Sequence, residues 1–228
     1  MADLYDGWWT SNNNGYLNQT HENENVRKVY DYFRNLGWSK QAIAGMCGNF
    51  HWESRCDPLK WLNGNVQDVY TSNNAFGIAQ WHPPRKLANW ALENGLDYKS
   101  GYTQLARIKY EYDNNLQWSM NNLGKHTWSQ FAHSTETPST LARVFFWAYE
   151  RASGADLPKR QEFAEYFYEL FLYWDPDPQP EPGPTPVQPD DPAPTPDNEQ
   201  QTTGFDDLYP IYNMMANRNK KKVKIYVL

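Results

Sequence analysis

Gln41–Pro58, QAIAGMCGNFHWESRCDP, gathers the residue types that could move a proton. Ser39 is an N-cap, and Ile43, Met46, Cys47 and Phe50 follow at i, i+3, i+4 and i+7, the apolar stripe of a helix packed into a core. At i+10 stands Glu53, and the run stops at Asp57-Pro58. A carboxyl at the edge of a buried face, near the negative end of the helix dipole, is disfavoured in its ionised form. Glu53 is therefore expected to hold a proton, as a general acid must. The bland alternative is an end-of-helix carboxylate paired with Arg55 or turned to solvent.

Other groups in this stretch carry less. Cys47, His51 and Cys56, with His82 further on, could be drawn as a zinc set, but Cys47 belongs to the apolar stripe and spacing across a helix end is unlike a zinc knuckle. No metal and no cofactor is expected. A thiol inside a core stripe is also inaccessible as a nucleophile. A Cys47–Cys56 disulfide requires the helix to end before Cys56, and the sequence leaves that open.

The elements that must position Glu53 are mostly helical. Val26, Val29, Tyr30, Phe33 and Leu36 repeat at helical spacing and close at Gly37, after an arm, 1–20, rich in Asn, Gly and Tyr. From Leu59 to Trp81 the helical period is lost, and Asn63-Gly64 and Ser72-Asn73-Asn74 mark turns, so a small hairpin or irregular lobe is predicted. Helices resume after Pro83-Pro84 as far as Gly95, around Tyr102–Asn114, and over Thr127–Ser134. Another starts at Thr137-Pro138 with the stripe Leu141, Val144, Phe145, Ala148 and Ala152. The last, Pro158–Trp174, is predicted to bury Phe163, Phe167, Leu170 and Phe171. Residues 21–174 thus read as one mostly α domain of the α+β class.

Beyond it the composition changes. Residues 175–203 form a proline-rich acidic linker: 175–196 hold ten of the sixteen prolines, and 175–199 carry seven acids and no base. Such a segment is an extended spacer. Residues 204–228 end in KKKVKIYVL, which alternates like a strand and suits an anchoring segment. The net charge of −6 argues against nucleic acid as a partner. The start lacks a basic n-region and an apolar h-region, and no run of eighteen apolar residues exists, so neither signal peptide nor membrane span is expected. Aromatic content is high at 16%, with Trp 11 and Tyr 16, enough to fill a core and leave rings on which sugars could stack.

AGMCGNFHWESRCDP, followed after the polar lobe by FGIAQW, resembles the phage tail lysozymes, the kind of domain that opens the phi29 tail-knob cell-wall hydrolase. These are similar to the goose-type lysozyme and soluble lytic transglycosylase superfamily. The resemblance covers Val26–Leu172 and includes TETPSTLARVFFWAYERA. It implies a lysozyme-like fold in which Glu53 protonates the glycosidic oxygen between N-acetylmuramic acid and N-acetylglucosamine of peptidoglycan. It also implies that Gln80 lies along the glycan and that Gly77 gives the backbone close approach. Trp81 would stack on a sugar or anchor the core. Ser54 would bond substrate or cap the helix, and Tyr149 matches a tyrosine on a closing helix.

Glycoside hydrolysis commonly uses a second carboxylate. Asp57, Asp68 and Glu150 are candidates. Asp68, in the lobe, is preferred; Asp57 is expected to end the helix, and Glu150, opposite its helix's apolar stripe, to lie in solvent. Transglycosylases manage without one, so hydrolase and lytic transglycosylase both stand. The spacer favours a tethered, virion-associated lysin whose partners are peptidoglycan and, through 204–228, other tail proteins. A lysis-stage endolysin and a non-catalytic wall-binding tail component are the alternatives.

Overall fold

The structure, a computed structural model, describes residues 9–12, 15–120, 125–151, 154 and 156–177. The expected linker beyond 177 and the anchoring segment 204–228 lie outside the described residues. Helix α1 spans Gln19–Asn35 and α2 Lys40–Ser54. There follow α3 Arg85–Glu93, α4 Gly101–Asp113, α5 Trp128–Ala132, α6 Pro138–Phe145 and α7 Leu157–Trp174.

The cap signals act as their chemistry requires. Ser39 accepts from the Ala42 amide, Thr137 caps α6 ahead of Pro138, and Gly37 follows α1 at φ 83°. Helix α1 starts earlier than its apolar repeat, inside the stretch expected to be an irregular arm, because Asn18 caps it by accepting from the His21 amide. Part of that arm is tied down: Asn25 Nδ2 donates to the carbonyls of Thr10 (2.8 Å) and Cys56 (3.0 Å).

Helix α2 is not a one-sided amphipath. Every residue from Ala42 to His51 is buried, enclosed by α1, α6 and α7. Two glycines allow this. A Cβ at Gly48 would collide with the Arg160 carbonyl oxygen, and one at Gly45 would stand 2.8 Å from the Ala142 nitrogen. Glycine in a helix interior costs about 1 kcal/mol relative to alanine, and close backbone packing offsets it here.

One expectation fails locally, and one open choice is decided. The helix starting at Pro138 does not run on to Ala152, which is outside the described residues; after Phe145 it widens into a π-helical turn, Phe146–Glu150, closed by Arg151 N–H to the Phe146 carbonyl (2.8 Å). The lobe between α2 and α3 takes the irregular of the two forms left open by the sequence, with isolated antiparallel bridges, Trp61 with Phe76 and Phe76 with Trp81. Phe76 and Trp81 pair across the short Gly77–Gln80 turn, with Gln80 at φ 46°, so the chain reverses before a ladder can extend. The described chain is mostly helical, with a smaller β share than α+β implied.

At the far end, Tyr30 Oη donates to Asp175 Oδ2 (2.7 Å). Lys40 Nζ donates to Asp177 Oδ1 (2.6 Å) and to the Asp175 carbonyl. The first residues of the acidic stretch are thus tied to α1 and α2. Among the described residues no helix is long and apolar enough to cross a membrane.

Candidate active site

The enclosed α2 opens to solvent in its last turn, at Trp52, which is exposed, and Glu53, whose side chain is 18% exposed. Arg160, from α7 and 2% exposed, meets it there. Its Nη2 donates to Glu53 Oε1 at 2.6 Å, and its Nη1 to Asn49 Oδ1 at 3.2 Å. Asn49 Nδ2 is fixed by the carbonyls of Gly45 (2.9 Å) and Ala142 (3.0 Å), so α2, α6 and α7 all set the direction of the guanidinium. The guanidinium also lies over the Phe146 ring, 5.0 Å from its centroid. Glu53 is therefore not the bare, desolvated carboxyl expected from the apolar stripe. Nor does it pair with Arg55, whose Nη1 faces Glu22 Oε2 at 3.4 Å. The hydrogen bond from Arg160 goes to Oε1 of the carboxylate.

Glu150 corrects a second expectation. Its helix would have carried it to solvent had the α-helical register continued. The π turn closes i to i+5 and rotates the side chains that end it. Glu150 is half-buried, and its Oε1 is sealed from solvent with no hydrogen-bond partner among the described residues. Burial first, and then the charge of Glu53, hold this carboxyl well above the usual carboxylate range, with Arg160 acting in the opposite sense.

The FGIAQW loop is bolted to the end of α2. Ser54, buried, donates from Oγ to the Ile78 carbonyl (2.8 Å). Gly77 sits at φ 86°, and a Cβ there would stand 2.7 Å from Gln104 Oε1. That oxygen accepts from the Ile78 amide (2.8 Å), while Gln104 Nε2 donates to the Pro58 carbonyl (2.7 Å). Gln80 turns its Nε2 into the loop, onto the carbonyls of Lys60 (3.0 Å) and Gly77 (2.9 Å). Its Oε1 is buried without a partner among the described residues. Trp81 is buried, with Nε1 on Glu111 Oε1 at 3.3 Å. Glu111 also accepts from Arg107 Nε (2.8 Å) and, through Oε2, from Tyr149 Oη (2.7 Å). Burial and the Glu111 charge push the Tyr149 hydroxyl well above the usual phenol range. The side chains of Ser54, Gln80, Trp81 and Tyr149 are thus engaged by the protein itself.

Asp68 is exposed and spends both oxygens on its own turn, accepting from the Tyr70 amide (3.0 Å) and Thr71 Oγ1 (3.0 Å). As a second carboxylate it would have to release these bonds. Asp57 is buried and accepts from the amides of Asn12 (2.6 Å) and Leu59 (2.8 Å). His51 Nδ1 meets Glu22 Oε1 at 2.6 Å, and Cys47 and Cys56 are buried free thiols. The sequence does not single out Gln104, Glu111 or Arg160, and Asn49 enters it only within the motif that leads to Glu53. Only Arg160 left a signal there: it shares the apolar stripe of α7 with Ala164, Phe167 and Phe171, where a cation is out of place.

The domain is thus mostly helical, with a glutamate at the mouth of its buried central helix and a glycine-bearing loop fastened to the next residue. The family model described as phage tail lysozyme matches residues 24–171, and the chain belongs to that family. It is 38% identical over 156 residues to "Morphogenesis protein 1" of Bacillus phage B103, an overlap covering 68% of this chain and 41% of the relative. The chain therefore spans less than half the length of that relative.

Proposed function

We propose that this domain is a peptidoglycan muramidase that cleaves the β-1,4 linkage between N-acetylmuramic acid and N-acetylglucosamine, with Glu53 as general acid. The observation that carries the reading is that α2, enclosed along its whole middle, reaches solvent at Trp52 and Glu53 inside the stretch matched by the family. Arg160 and Asn49 aim the carboxyl, and pairing through one oxygen leaves the other for the glycosidic oxygen. Ser54, Gly77, Gln80, Trp81 and Tyr149 contribute to substrate binding by fixing the backbone of the loop that flanks the acid, so the glycan meets main-chain groups there.

The family, and the morphogenesis protein of a phage among the relatives, support placement on the virion tail. There the enzyme would open the host wall, with 204–228 docking on other tail proteins. Mass spectrometry of purified peptidoglycan after digestion tests the chemistry. Reducing muramic ends are expected. 1,6-Anhydromuramic ends would make the enzyme a lytic transglycosylase, and an untouched wall would favour a passive wall-binding component.

A further inference from the structure

We propose that Trp52 is a sugar-stacking platform of this site, taking the apolar face of an N-acetylated pyranose next to the linkage that Glu53 protonates. The inference deepens the muramidase reading and rests on Glu53 being its acid. Trp52 is 40% exposed, and among the described residues no other tryptophan is exposed; Trp38, Trp61, Trp81 and Trp128 are buried. The change is abrupt, since every residue of α2 from Ala42 to His51 is buried. The indole thus stands where the enclosed helix first meets solvent, beside the carboxyl.

Helical spacing fixes where it projects. Positions 45, 48, 49 and 52 share one stripe of α2, along which Gly45 meets α6, Gly48 meets α7 and Asn49 binds Arg160. Trp52 and Glu53 stand at i+3 and i+4 from Asn49, so their side chains leave the helix one turn beyond the Asn49–Arg160 contact. They diverge by about 100° around the axis, which sets the indole beside the acid and not over it. Consecutive Cα atoms are about 3.8 Å apart, less than the length of one sugar residue. A strand whose linkage oxygen reaches Glu53 therefore brings a neighbouring ring within reach of Trp52.

An indole takes the C–H face of a pyranose by burying apolar area and by attracting those hydrogens to the negative face of its ring. Among the described residues Trp52 takes part in no ring pair and no hydrogen bond, whereas the next two side chains are held by Arg160 and by the Ile78 carbonyl. Trp81 and Tyr149 lack this freedom, both being buried and bonded to Glu111. The backbone under Trp52 is anchored by the packing of Gly45 and Gly48 one and two turns earlier, so the platform is formed before substrate arrives and binding orders little besides the sugar.

A soluble tetramer of N-acetylglucosamine, titrated into the full chain and followed by the indole N–H resonances, tests the platform, with Trp52→Phe identifying the signal. The Trp52 resonance is expected to move with saturation, and to move more than that of Trp81. A Trp52 resonance left in place overturns the proposal. On purified peptidoglycan, Trp52→Ala should raise KM about tenfold while kcat per folded molecule stays within roughly threefold, and Trp52→Phe should restore most of the difference. An unchanged KM, or a fall in kcat alone, overturns it as well. A wild-type chain without turnover would sink the muramidase reading instead, while the tetramer titration would still decide whether Trp52 binds sugar.

Discussion

Glu111 and Glu150 show what decides the fate of a carboxylate near a core. Glu111 has three donors, whereas Glu150 has a sealed oxygen with none among the described residues. Tyr149→Phe removes one donor from Glu111 and should cost about 1–3 kcal/mol in chemical denaturation, with a smaller loss of turnover than Glu53→Gln. For Glu150 the sign of the pH dependence follows from its raised titration. Above the ordinary glutamate range the unfolded chain has released the proton that the folded chain keeps, so stability falls as pH rises toward the folded value. Glu150→Gln cannot ionise, and its stability relative to wild type should therefore climb between about pH 4.5 and neutrality, read from denaturation midpoints at several pH values. The place of Glu53 in the last turn of α2 was legible from the helical period and the Ser39 cap; its pairing with Arg160, far along the chain, was not. The directions of Gln80 and Trp81 were not: FGIAQW says which residues make the loop, but their side chains turn inward to satisfy buried carbonyls and Glu111.

Elements explain the remaining misreadings. A stripe drawn at 3.6 residues per turn places Glu150 in solvent; the π turn breaks that period, and no residue type in FWAYE announces it. Caps were legible because Ser39, Thr137 and Gly37 act through local chemistry. For the lobe, only the choice between hairpin and irregular form was not, because its bridges depend on how Phe76 pairs with both Trp61 and Trp81. The close approach of α2 and α7 gives a further test. Gly48→Ala forces a Cβ against the Arg160 carbonyl, backbone against backbone, and should destabilise the fold by about 1–3 kcal/mol or more. Because Arg160 rides on α7, the same substitution should also lower turnover of the protein that remains folded at low temperature, as reducing-sugar release per folded molecule would show.

At the scale of the whole molecule, Lys40 and Tyr30 hold Asp175 and Asp177, the first residues of the proline-rich acidic stretch, to α1 and α2. On the proposed function, the residues that follow tether the enzyme to the virion. A chain ending at Asp177 should therefore cleave purified peptidoglycan at close to the full-length rate yet be missing from purified particles, while proteomics finds the full chain in them. Full-length protein absent from particles would favour a lysis-stage enzyme. The proposed activity depends on the chemistry of one carboxyl, and the rate of reducing-end release from purified peptidoglycan by Glu53→Gln against wild type tests it most directly. A loss of about a hundredfold or more per folded molecule is predicted, beside a lowered thermal midpoint because Arg160 loses its counter-charge; equal rates per folded molecule would show that Glu53 is not the acid.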